Sequence, residues 1–178
     1  MNKRVTVCLV TFNSAKFFEK CIQNIYNQSY TNFELLVIDN ASTDKTVELI
    51  EKLSLKYPFD SILLNENTGF VGGHNLGIRN SKSDYYMPLN PDIFPEPNYI
   101  EELINNISIN QKIGSITGKL LRANPDTFEK TDIIDSTGIY FKKNMRALDR
   151  GAEEKDIGQY EIKEYVFGAS GAAPIYSR

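Results

Sequence analysis

The first 121 residues alternate between two kinds of segment, and this alternation restricts the chain to few folds. Short apolar runs rich in β-branched residues are typical of strands buried on both faces. They occur at residues 5–11, 33–39, 61–64, 85–89 and 113–121. Between them lie segments whose apolar residues recur at helical spacing. Because the connections are short, the pattern predicts a right-handed, doubly wound, mostly parallel sheet between two layers of helices.

Polar residues after the strands indicate where helices begin. Asn13 or Ser14 is the expected N-cap of the first helix, and Ser42 or Thr43 that of the second. The apolar positions expected to face the sheet are Phe18, Cys21, Ile22 and Ile25 in the first helix and Val47, Ile50 and Leu53 in the second. The glycine-rich segment 68–77 is expected to open a third helix. After residue 121 the pattern changes to short strands and a charged loop, which predicts a small additional β region.

Composition argues against several classes of protein. The 41% hydrophobic content suits one domain with a sizeable core, and the net charge of −3 argues against nucleic-acid binding as the main role. Cys8 and Cys21 occupy apolar positions, so both are predicted to be reduced core residues. No apolar run approaches the roughly 20 residues of a membrane-spanning helix, and no signal peptide precedes the first strand. A soluble cytoplasmic protein is expected.

Polar stretches close three of the predicted strands. TFN ends the first strand, DNASTD the second and NPD the fourth, and the glycine-rich segment lies between the last two. Ligands of open α/β sheets bind at the carboxyl ends of the strands, near the point where the strand order reverses. These four stretches are therefore expected to meet at one rim of the sheet.

Asp39 closes an apolar strand, and two interpretations of its carboxylate remain open. It is a helix cap or dipole partner, or it accepts a hydrogen bond from a nucleotide. A pyrimidine N3–H or a ribose hydroxyl would be a suitable donor.

The segment TGFVGGHNLG at 68–77 fits neither the G-x-G-x-x-G fingerprint nor a P-loop. Gly72 and Gly73 at a helix start would leave backbone N–H groups uncovered, which suits sugar or diphosphate oxygens. The alternative is a flexible loop. His74 is the only histidine, which argues against a histidine-based metal site and favours a structural role.

Asn90-Pro91-Asp92 forms either a plain turn or part of a metal site. Mg²⁺ and Mn²⁺ prefer oxygen ligands and usually share them with substrate phosphates. One carboxylate is few for such a site, although diphosphate oxygens and water would complete it.

Taken in order, these motifs resemble the nucleotide-binding half of the family 2 glycosyltransferases. The resemblance begins with VTVCLVTFNSAKFFEKCIQNIYNQSYTNFELLVIDNASTDKTVELI and continues through NTGFVGGHNLGI to YYMPLNPDI. Asn-Pro-Asp in place of Asp-x-Asp is similar to the rhamnosyltransferase-like branch of that family. DSTGIYF, DRGAEEKDIGQY and VFGASGAAPIYSR also resemble that branch. The resemblance therefore spans essentially the whole chain.

The resemblance implies a GT-A (Rossmann-like) α/β/α sandwich and an inverting sugar transfer from a nucleotide-diphosphate donor. The implied donor is dTDP-L-rhamnose and the acceptor a polysaccharide or a lipid-linked glycan, with peripheral membrane association at the inner face of the membrane. The residues implied to bind the donor are Thr11, Phe12, Asn13, Asp39, Asn67, Gly72, Gly73, Asn75 and Asn90. Asp92 is the implied ligand of Mg²⁺ or Mn²⁺, and Asn90 stands where many relatives have the first carboxylate, which weakens the metal site.

Residues 1–178 are thus expected to form a single domain, with a nucleotide-sugar-binding half at 1–121 and the start of an acceptor-side half at 122–178. The family's general base is expected beyond Arg178, so the chain is expected to be a truncated enzyme. The acidic residues Glu153, Glu154 and Asp156 are interpreted as solvated surface.

Two other functions remain open. A catalytically inactive domain that binds a nucleotide-sugar, or a scaffold, would share the same pocket. A flavodoxin-like domain would need a phosphate loop after the first strand, and TFNSAKF is a poor one.

Overall fold

A computed structural model describes residues 3–110 and 112–178. The strands are β1 (Val5–Thr11), β2 (Phe33–Asp39), β3 (Asp60–Leu63), β4 (Tyr85–Leu89), β5 (Ser115–Ile116), β6 (Leu120–Ala123), β7 (Lys130–Ser136), β8 (Ile139–Phe141), β9 (Ala147–Asp149) and β10 (Ile175–Ser177). The helices are α1 (Ala15–Tyr26), α2 (Thr46–Ser54), α3 (Gly69–Asn80) and α4 (Tyr99–Ile107).

The central sheet has six strands in the order β3-β2-β1-β4-β10-β5. β1 pairs in parallel with both β2 and β4, β2 pairs in parallel with β3, and β10 runs antiparallel to its neighbours. The chain moves outward from β1 to β3, and α3 then carries it back to β4 on the other side of β1. The strand order therefore reverses between β1 and β4, and Thr11 lies opposite Asp39 at the carboxyl end of this region.

Helices cover both faces of the sheet. Alternate strand residues such as Val7, Leu9 and Met87 pack with the apolar positions of α1, α2 and α4. The intervening positions, Cys8 and Tyr86 among them, form a smaller cluster beneath α3. This arrangement follows from the two-residue period of strands whose side chains are apolar on both faces. The predicted α/β fold with a mostly parallel central sheet is confirmed.

The predicted buried face of α1 is also confirmed, but α2 begins later than expected. Ser42 and Thr43, the expected caps, bind Asp39 and Asn13 instead. The Asp44 carboxylate accepts the N–H of Thr46 at 2.9 Å, and α2 starts at Thr46. The predicted cap positions were wrong because the Ser42 hydroxyl donates to Asp39 and the Thr43 hydroxyl donates to the Asn13 side chain at 3.4 Å.

The predicted strand 113–121 was wrong as one element. Its first part forms the two-residue β5, and its last part leaves the sheet to form a ribbon, β6 with β7. Between them, the Gly118 N–H donates to the Tyr99 hydroxyl at 3.2 Å, and that hydroxyl donates to the Ala173 carbonyl at 2.9 Å. Tyr99 thus replaces a neighbouring strand as the partner of the chain at Gly118.

The remaining strands form the small additional β region that the sequence predicted. β6 and β7 make one antiparallel ribbon, and β8 and β9 make another. No helix within residues 3–110 and 112–178 has the length and hydropathy needed to cross a membrane.

Both cysteines are free and buried, as predicted. Burial raises the pKa of the Cys8 thiol to about 11 and raises the pKa of the Cys21 thiol further.

Candidate functional site

The carboxyl end of β2 continues into a tight turn that we call the Asp39 turn (residues 39–44). The Asp39 carboxylate accepts the Ser42 hydroxyl at 2.5 Å and the Ser42 backbone N–H at 2.9 Å. Its side chain is 1% exposed. Asp39 therefore organises the turn, and it does so at the edge of the sheet where α/β proteins bind ligands.

Asn13 joins the end of β1 to the same turn. Its side-chain carbonyl accepts the N–H groups of Thr43 at 2.8 Å and Asp44 at 3.3 Å, and its own N–H donates to the Ser42 hydroxyl at 2.9 Å. The backbone of Asn13 has φ 49°, a left-handed conformation that asparagine adopts more readily than most residues. Asn13 therefore acts on the shape of the site, and its side-chain oxygen is occupied by protein donors.

Asn40 ties the Asp39 turn to the start of α3, and the sequence analysis did not select it. Its side-chain oxygen accepts the Thr68 N–H at 3.1 Å and the Thr68 hydroxyl at 3.0 Å, and its side-chain N–H donates to the Gly69 carbonyl at 3.0 Å. The Asn40 backbone N–H donates to the Thr11 carbonyl at 2.8 Å. The sequence signal available for Asn40 was an amide directly after a strand-ending aspartate. In the fold, Asn40 is 2% exposed.

Thr11 and Phe12 end β1 in different environments. The Thr11 hydroxyl is buried and has no hydrogen-bond partner in the part of the chain that the structure describes. The Phe12 ring is about half exposed. Because the Thr11 hydroxyl is unpaired, it can still form a hydrogen bond at the end of β1. Leaving it unpaired and buried costs stability.

The helix α3 starts three residues before the predicted glycine pair. Gly69 is its first residue, with φ +72°, and the Asn67 side chain accepts the Gly69 N–H at 2.8 Å. The first-turn N–H groups of an α-helix have no acceptor within the helix. These groups belong here to Phe70 and Val71, whose side chains are exposed. The prediction that Gly72 and Gly73 present the uncovered N–H groups was therefore wrong.

The glycines of α3 instead allow close packing on the sheet. A Cβ at Gly73 would lie 2.6 Å from a Val10 methyl group, and one at Gly77 would lie 2.5 Å from both the Cys8 sulfur and the Tyr86 hydroxyl oxygen. Gly73 is buried against β1, whereas Asn67 and Asn75 are exposed on the outer side of the segment.

His74 has the structural role that the sequence favoured. It is 6% exposed, and its Nδ1 lies 3.1 Å from the hydroxyl of Tyr86, which donates to the His74 carbonyl at 3.2 Å. Its ring packs on the edge of Phe70 with centroids 4.3 Å apart. Burial lowers the pKa of His74 to about 4. The imidazole is therefore neutral at pH 7 and links α3 to β4.

The Asn90-Pro91-Asp92 segment forms a turn after β4. The Asn90 N–H donates to the Ala172 carbonyl at 3.0 Å, and the Asn90 carbonyl accepts the Ile93 N–H at 3.1 Å. Asp92 is exposed and, within the described ranges, has no hydrogen-bond or ion-pair partner. It follows β4, which β1 separates from β2, so it lies at the same edge of the sheet as Asp39. No hydrogen bond among the described residues joins Asp92 to the Asp39 turn.

Few side chains near Asp92 could bind a metal ion. Nowhere in residues 3–110 and 112–178 do three or more His, Cys, Asp or Glu side chains gather closely enough to hold a metal ion. The unpaired Asp92 carboxylate fits a divalent cation only if the other oxygens come from a bound diphosphate and from water.

The charged loop is only partly the solvated surface that the sequence predicted. Glu153 and Glu154 are exposed. Asp156, however, is 16% exposed and pairs with Lys119 at 2.6 Å. The hydrogen bond from Lys119 holds the pKa of Asp156 below its usual value. The interpretation of Asp156 as solvated was wrong because this ion pair packs the loop against the chain between β5 and β6.

Comparison with known proteins places the chain in a family. The model of the family described as "Glycosyl transferase family 2" matches residues 6–159. A dolichyl N-acetyl-alpha-D-glucosaminyl phosphate 3-beta-D-2,3-diacetamido-2,3-dideoxy-beta-D-glucuronosyltransferase of Methanococcus voltae is 34% identical over 120 residues, which cover 65% of this chain and 36% of that protein. A poly-beta-1,6-N-acetyl-D-glucosamine synthase of Staphylococcus aureus is 29% identical over 130 residues, 73% of this chain and 30% of that protein. The chain thus spans about a third of the length of these relatives.

Solved structures share the fold. A mannosyltransferase from Pyrobaculum calidifontis, in complex with GDP-Man and Mn²⁺, superposes with a TM-score of 0.60 at 24% identity, over 71% of this chain and 37% of that one. Residues 1–349 of S. aureus TarS, in complex with UDP, give a TM-score of 0.61 at 18% identity, over 80% of this chain and 43% of that one. At these identities the likeness concerns the fold alone.

Proposed function

This chain belongs to glycosyl transferase family 2, and from that premise we propose that it binds the nucleoside diphosphate of a sugar donor. The proposed site is the rim formed by the end of β1, the Asp39 turn and the start of α3. The chain would then be the donor-binding part of an inverting glycosyltransferase.

The observation that carries this proposal is the hydrogen-bonded network at the strand-order reversal. Asn13 and Asn40 fasten the ends of β1 and β2 to each other and to Thr68, the residue before α3. The buried side chains of Asp39 and Asn40 and the left-handed backbone of Asn13 and Ala41 are more than a simple connection between elements needs. Such preorganisation is expected where a loop surface must keep its shape for a ligand.

Asp39 is proposed to recognise the nucleobase. Ser42 uses one lone pair of each carboxylate oxygen, and an ionised carboxylate has about four acceptor positions. Because the side chain is 1% exposed, a base N–H reaches it only when the Ser42 side chain moves aside. The proposal therefore includes a local rearrangement of the Asp39 turn on binding.

The exposed side of the glycine-rich segment is proposed to border the nucleoside and the diphosphate. Asn67 and Asn75 lie on this side, and the first-turn N–H groups at Phe70 and Val71 offer donors to anionic oxygens. Gly72 remains part of this proposal because it is half-exposed, whereas Gly73 acts through helix packing.

Asp92 is proposed to hold Mg²⁺ or Mn²⁺ together with the diphosphate, with Asn90 fixing the turn. When bound, the metal would supply positive charge to the departing diphosphate. The complex of the P. calidifontis mannosyltransferase with Mn²⁺ supports a divalent metal in this fold.

The donor sugar is proposed only as a class. The names of the relatives contain N-acetylglucosamine and a diacetamido-glucuronic acid, and the two solved structures contain GDP-Man and UDP. L-Rhamnose from dTDP-rhamnose stays a prediction that rests on the Asn-Pro-Asp motif, with a polysaccharide or lipid-linked glycan as acceptor. The alternative function is an inactive nucleotide-sugar-binding or scaffold module.

The general base of the transfer is not proposed among the residues of the charged loop. Glu153 and Asp156 are both engaged in ion pairs, with Arg122 at 3.3 Å and with Lys119 at 2.6 Å. A base must instead be free to take the proton of an acceptor hydroxyl.

A thermal-shift titration tests the proposal. Unfolding is followed with UDP, GDP and dTDP, each with and without Mn²⁺, and ADP serves as a control. We expect at least one pyrimidine or guanine nucleotide to raise the melting temperature, and Mn²⁺ to increase the shift. Asp92→Asn should abolish the Mn²⁺ effect, whereas Asp126→Asn, on the nearby ribbon tip, should not. No stabilisation by any nucleoside diphosphate would refute the donor site, and a metal effect that survives Asp92→Asn would refute the role of Asp92 alone.

A further inference from the structure

On one side, β10 pairs with β4, and this pairing continues beyond the two strands. Continued toward the carboxyl end of β4, the antiparallel register places Ala172 opposite Asn90. There the Asn90 N–H donates to the Ala172 carbonyl at 3.0 Å. Asn90 opens the turn that carries Asp92, so the residues that precede β10 fix the position at which this turn begins.

On its other side, β10 pairs with β5, and there a tyrosine interrupts the pairing. Continued in the same way, the antiparallel register places Ala173 opposite Gly118. The Tyr99 hydroxyl lies between these two residues. It accepts the Gly118 N–H at 3.2 Å and donates to the Ala173 carbonyl at 2.9 Å. Burial raises the pKa of Tyr99 to about 12, so the hydroxyl keeps its proton at pH 7. One hydroxyl thus takes the place of a direct hydrogen bond between the strands.

Gly118 makes room for the inserted ring. A Cβ at this position would lie 2.5 Å from Cε2 of Tyr99, so a larger residue would displace the ring or the strand. A Cβ at Gly114, earlier in the same segment, would meet no atom within 4 Å. The ring therefore holds the sheet open at the point where the chain leaves it for the β6–β7 ribbon. Tyr99 and Asp92 line the same cavity, whose volume is about 700 Å³.

The loop that carries Asp92 is consequently tied at both ends to two adjacent residues. Asn90 begins this loop and is held by Ala172, whereas Tyr99 ends it and is held by Ala173. Loss of the Tyr99 hydroxyl would leave the Ala173 carbonyl without this donor, and a buried carbonyl without a partner is costly. The segment on which Asn90 depends would then shift to find another donor.

We propose that Tyr99 is a positioning residue for the Asp92 carboxylate. Its hydroxyl fixes the chain at residues 172–173, this segment fixes Asn90, and Asn90 fixes the turn that directs Asp92 toward a diphosphate-bound cation. Groups that orient a metal ligand from behind set metal affinity although they do not touch the metal. Tyr99 acts on Asp92 through the backbone. This inference rests on the proposed function, in which Asp92 binds Mg²⁺ or Mn²⁺ together with the diphosphate.

Isothermal titration with and without Mn²⁺ tests the inference. The ligand is the nucleoside diphosphate that most stabilises the unmodified chain. The quantity compared is the ratio of its Kd in a metal chelator to its Kd in saturating Mn²⁺. Tyr99→Phe keeps the ring and removes the hydroxyl. We expect it to lower this ratio at least about 3-fold, toward the ratio of Asp92→Asn, and to leave the metal-free Kd unchanged. A purely structural role would lower the melting temperature and leave the ratio as it is.

Tyr26→Phe is the matched control. The Tyr26 hydroxyl also donates to a backbone carbonyl, that of Pro58. Its ring, however, packs on Phe33, the first residue of β2, and so lies at the opposite edge of the sheet. This variant should keep the ratio of the unmodified chain. Melting temperatures confirm that each variant is folded.

Gly118→Ala is an independent route to the same effect, because the added Cβ displaces the Tyr99 ring. It should lower the ratio, whereas Gly114→Ala should not. An unchanged ratio in both Tyr99→Phe and Gly118→Ala, or an equal fall in Tyr26→Phe, would overturn the inference. If Asp92→Asn removes the Mn²⁺ effect while the Tyr99 and Gly118 variants retain it in full, the positioning role alone fails. If the unmodified chain binds no nucleoside diphosphate, the proposed function fails and the inference fails with it.

Discussion

The Asn40 side-chain oxygen accepts both the backbone N–H and the hydroxyl of Thr68, at 3.1 and 3.0 Å. This pair fastens the end of β2 to the residue that precedes α3. The same asparagine reaches β1 through its backbone N–H, so one buried residue sets the relative position of three elements at the rim.

Replacing Asn40 should therefore cost more than replacing an exposed asparagine. Asn40→Ala leaves the Thr68 donors and the Gly69 carbonyl without their partner, and we expect a loss of about 2 to 4 kcal/mol in the free energy of unfolding. Urea denaturation measures it, with Asn75→Ala on the exposed side of α3 as control. Equal losses in the two variants would show that the Thr68 contacts contribute little.

Alanine at the buried glycines of α3 should push the helix off the sheet. A Cβ at Gly77 would lie 2.5 Å from the Cys8 sulfur, and one at Gly73 would lie 2.6 Å from Val10. Overpacking of this kind costs about 1 to 3 kcal/mol. Gly114→Ala is the control, because a Cβ there meets no atom within 4 Å. Unfolding midpoints in urea give the comparison, and a Gly77→Ala variant as stable as Gly114→Ala would contradict the packing argument.

His74 should make the fold less stable as the pH falls. Its pKa is about 4 in the folded chain, against 6.5 for an unperturbed histidine. Between these values the unfolded chain binds the proton and the folded chain does not, so stability is full above about pH 6.5 and declines toward pH 4. The decline attributable to His74 is at most about 3 kcal/mol.

His74→Asn keeps a polar atom near the position of Nδ1 and removes the titration. The measurement is the unfolding free energy of both proteins at pH 7.5, 6, 5 and 4. Carboxylates titrate in both proteins, so their effect cancels in the difference between the two unfolding free energies. This difference should shrink as the pH falls, because only the unmodified protein loses the contribution of a neutral His74. A difference that is constant with pH would show that His74 titrates normally.

The two thiols should be protected in the folded chain. Both are buried, and burial raises the pKa of Cys8 to about 11, so the reactive thiolate is scarce at pH 8. Ellman's reagent should react slowly with the native protein and should find two thiols in denaturant. Rapid native reaction of Cys8 would indicate that α3 lifts from the sheet readily, and rapid reaction of Cys21 would indicate the same for α1.

Much of the fold could be predicted from the sequence because burial on both faces leaves a clear pattern. β1, β2 and β4 match their predicted bounds, and the buried positions of α1 are those expected from helical spacing. The split after Ile116 could not be predicted, because it depends on the Tyr99 hydroxyl, which comes from a helix distant in sequence.

The candidate site was predicted in part. Strand pairing explains why Thr11, Asn13 and Asp39 come together, as expected. The misplaced glycine roles have a physical reason: a glycine that avoids a clash with a strand and one that exposes backbone to a ligand give the same sequence signal. Asn40 was missed because its partners, Thr68 and Gly69, become neighbours only when α3 folds back across the sheet.

Isothermal titration of the Asp39 variant tests the central claim most directly. The ligand is the nucleoside diphosphate that most stabilises the unmodified chain, and Asp60→Asn, at an exposed carboxylate on β3, is the control. Melting temperatures confirm that each variant is folded. We predict that Asp39→Asn weakens binding about 10- to 100-fold, the value of a hydrogen bond to a charged group, and that Asp60→Asn leaves it unchanged. Equal affinities for Asp39→Asn and the unmodified chain would contradict the assignment of the nucleotide site to the Asp39 turn.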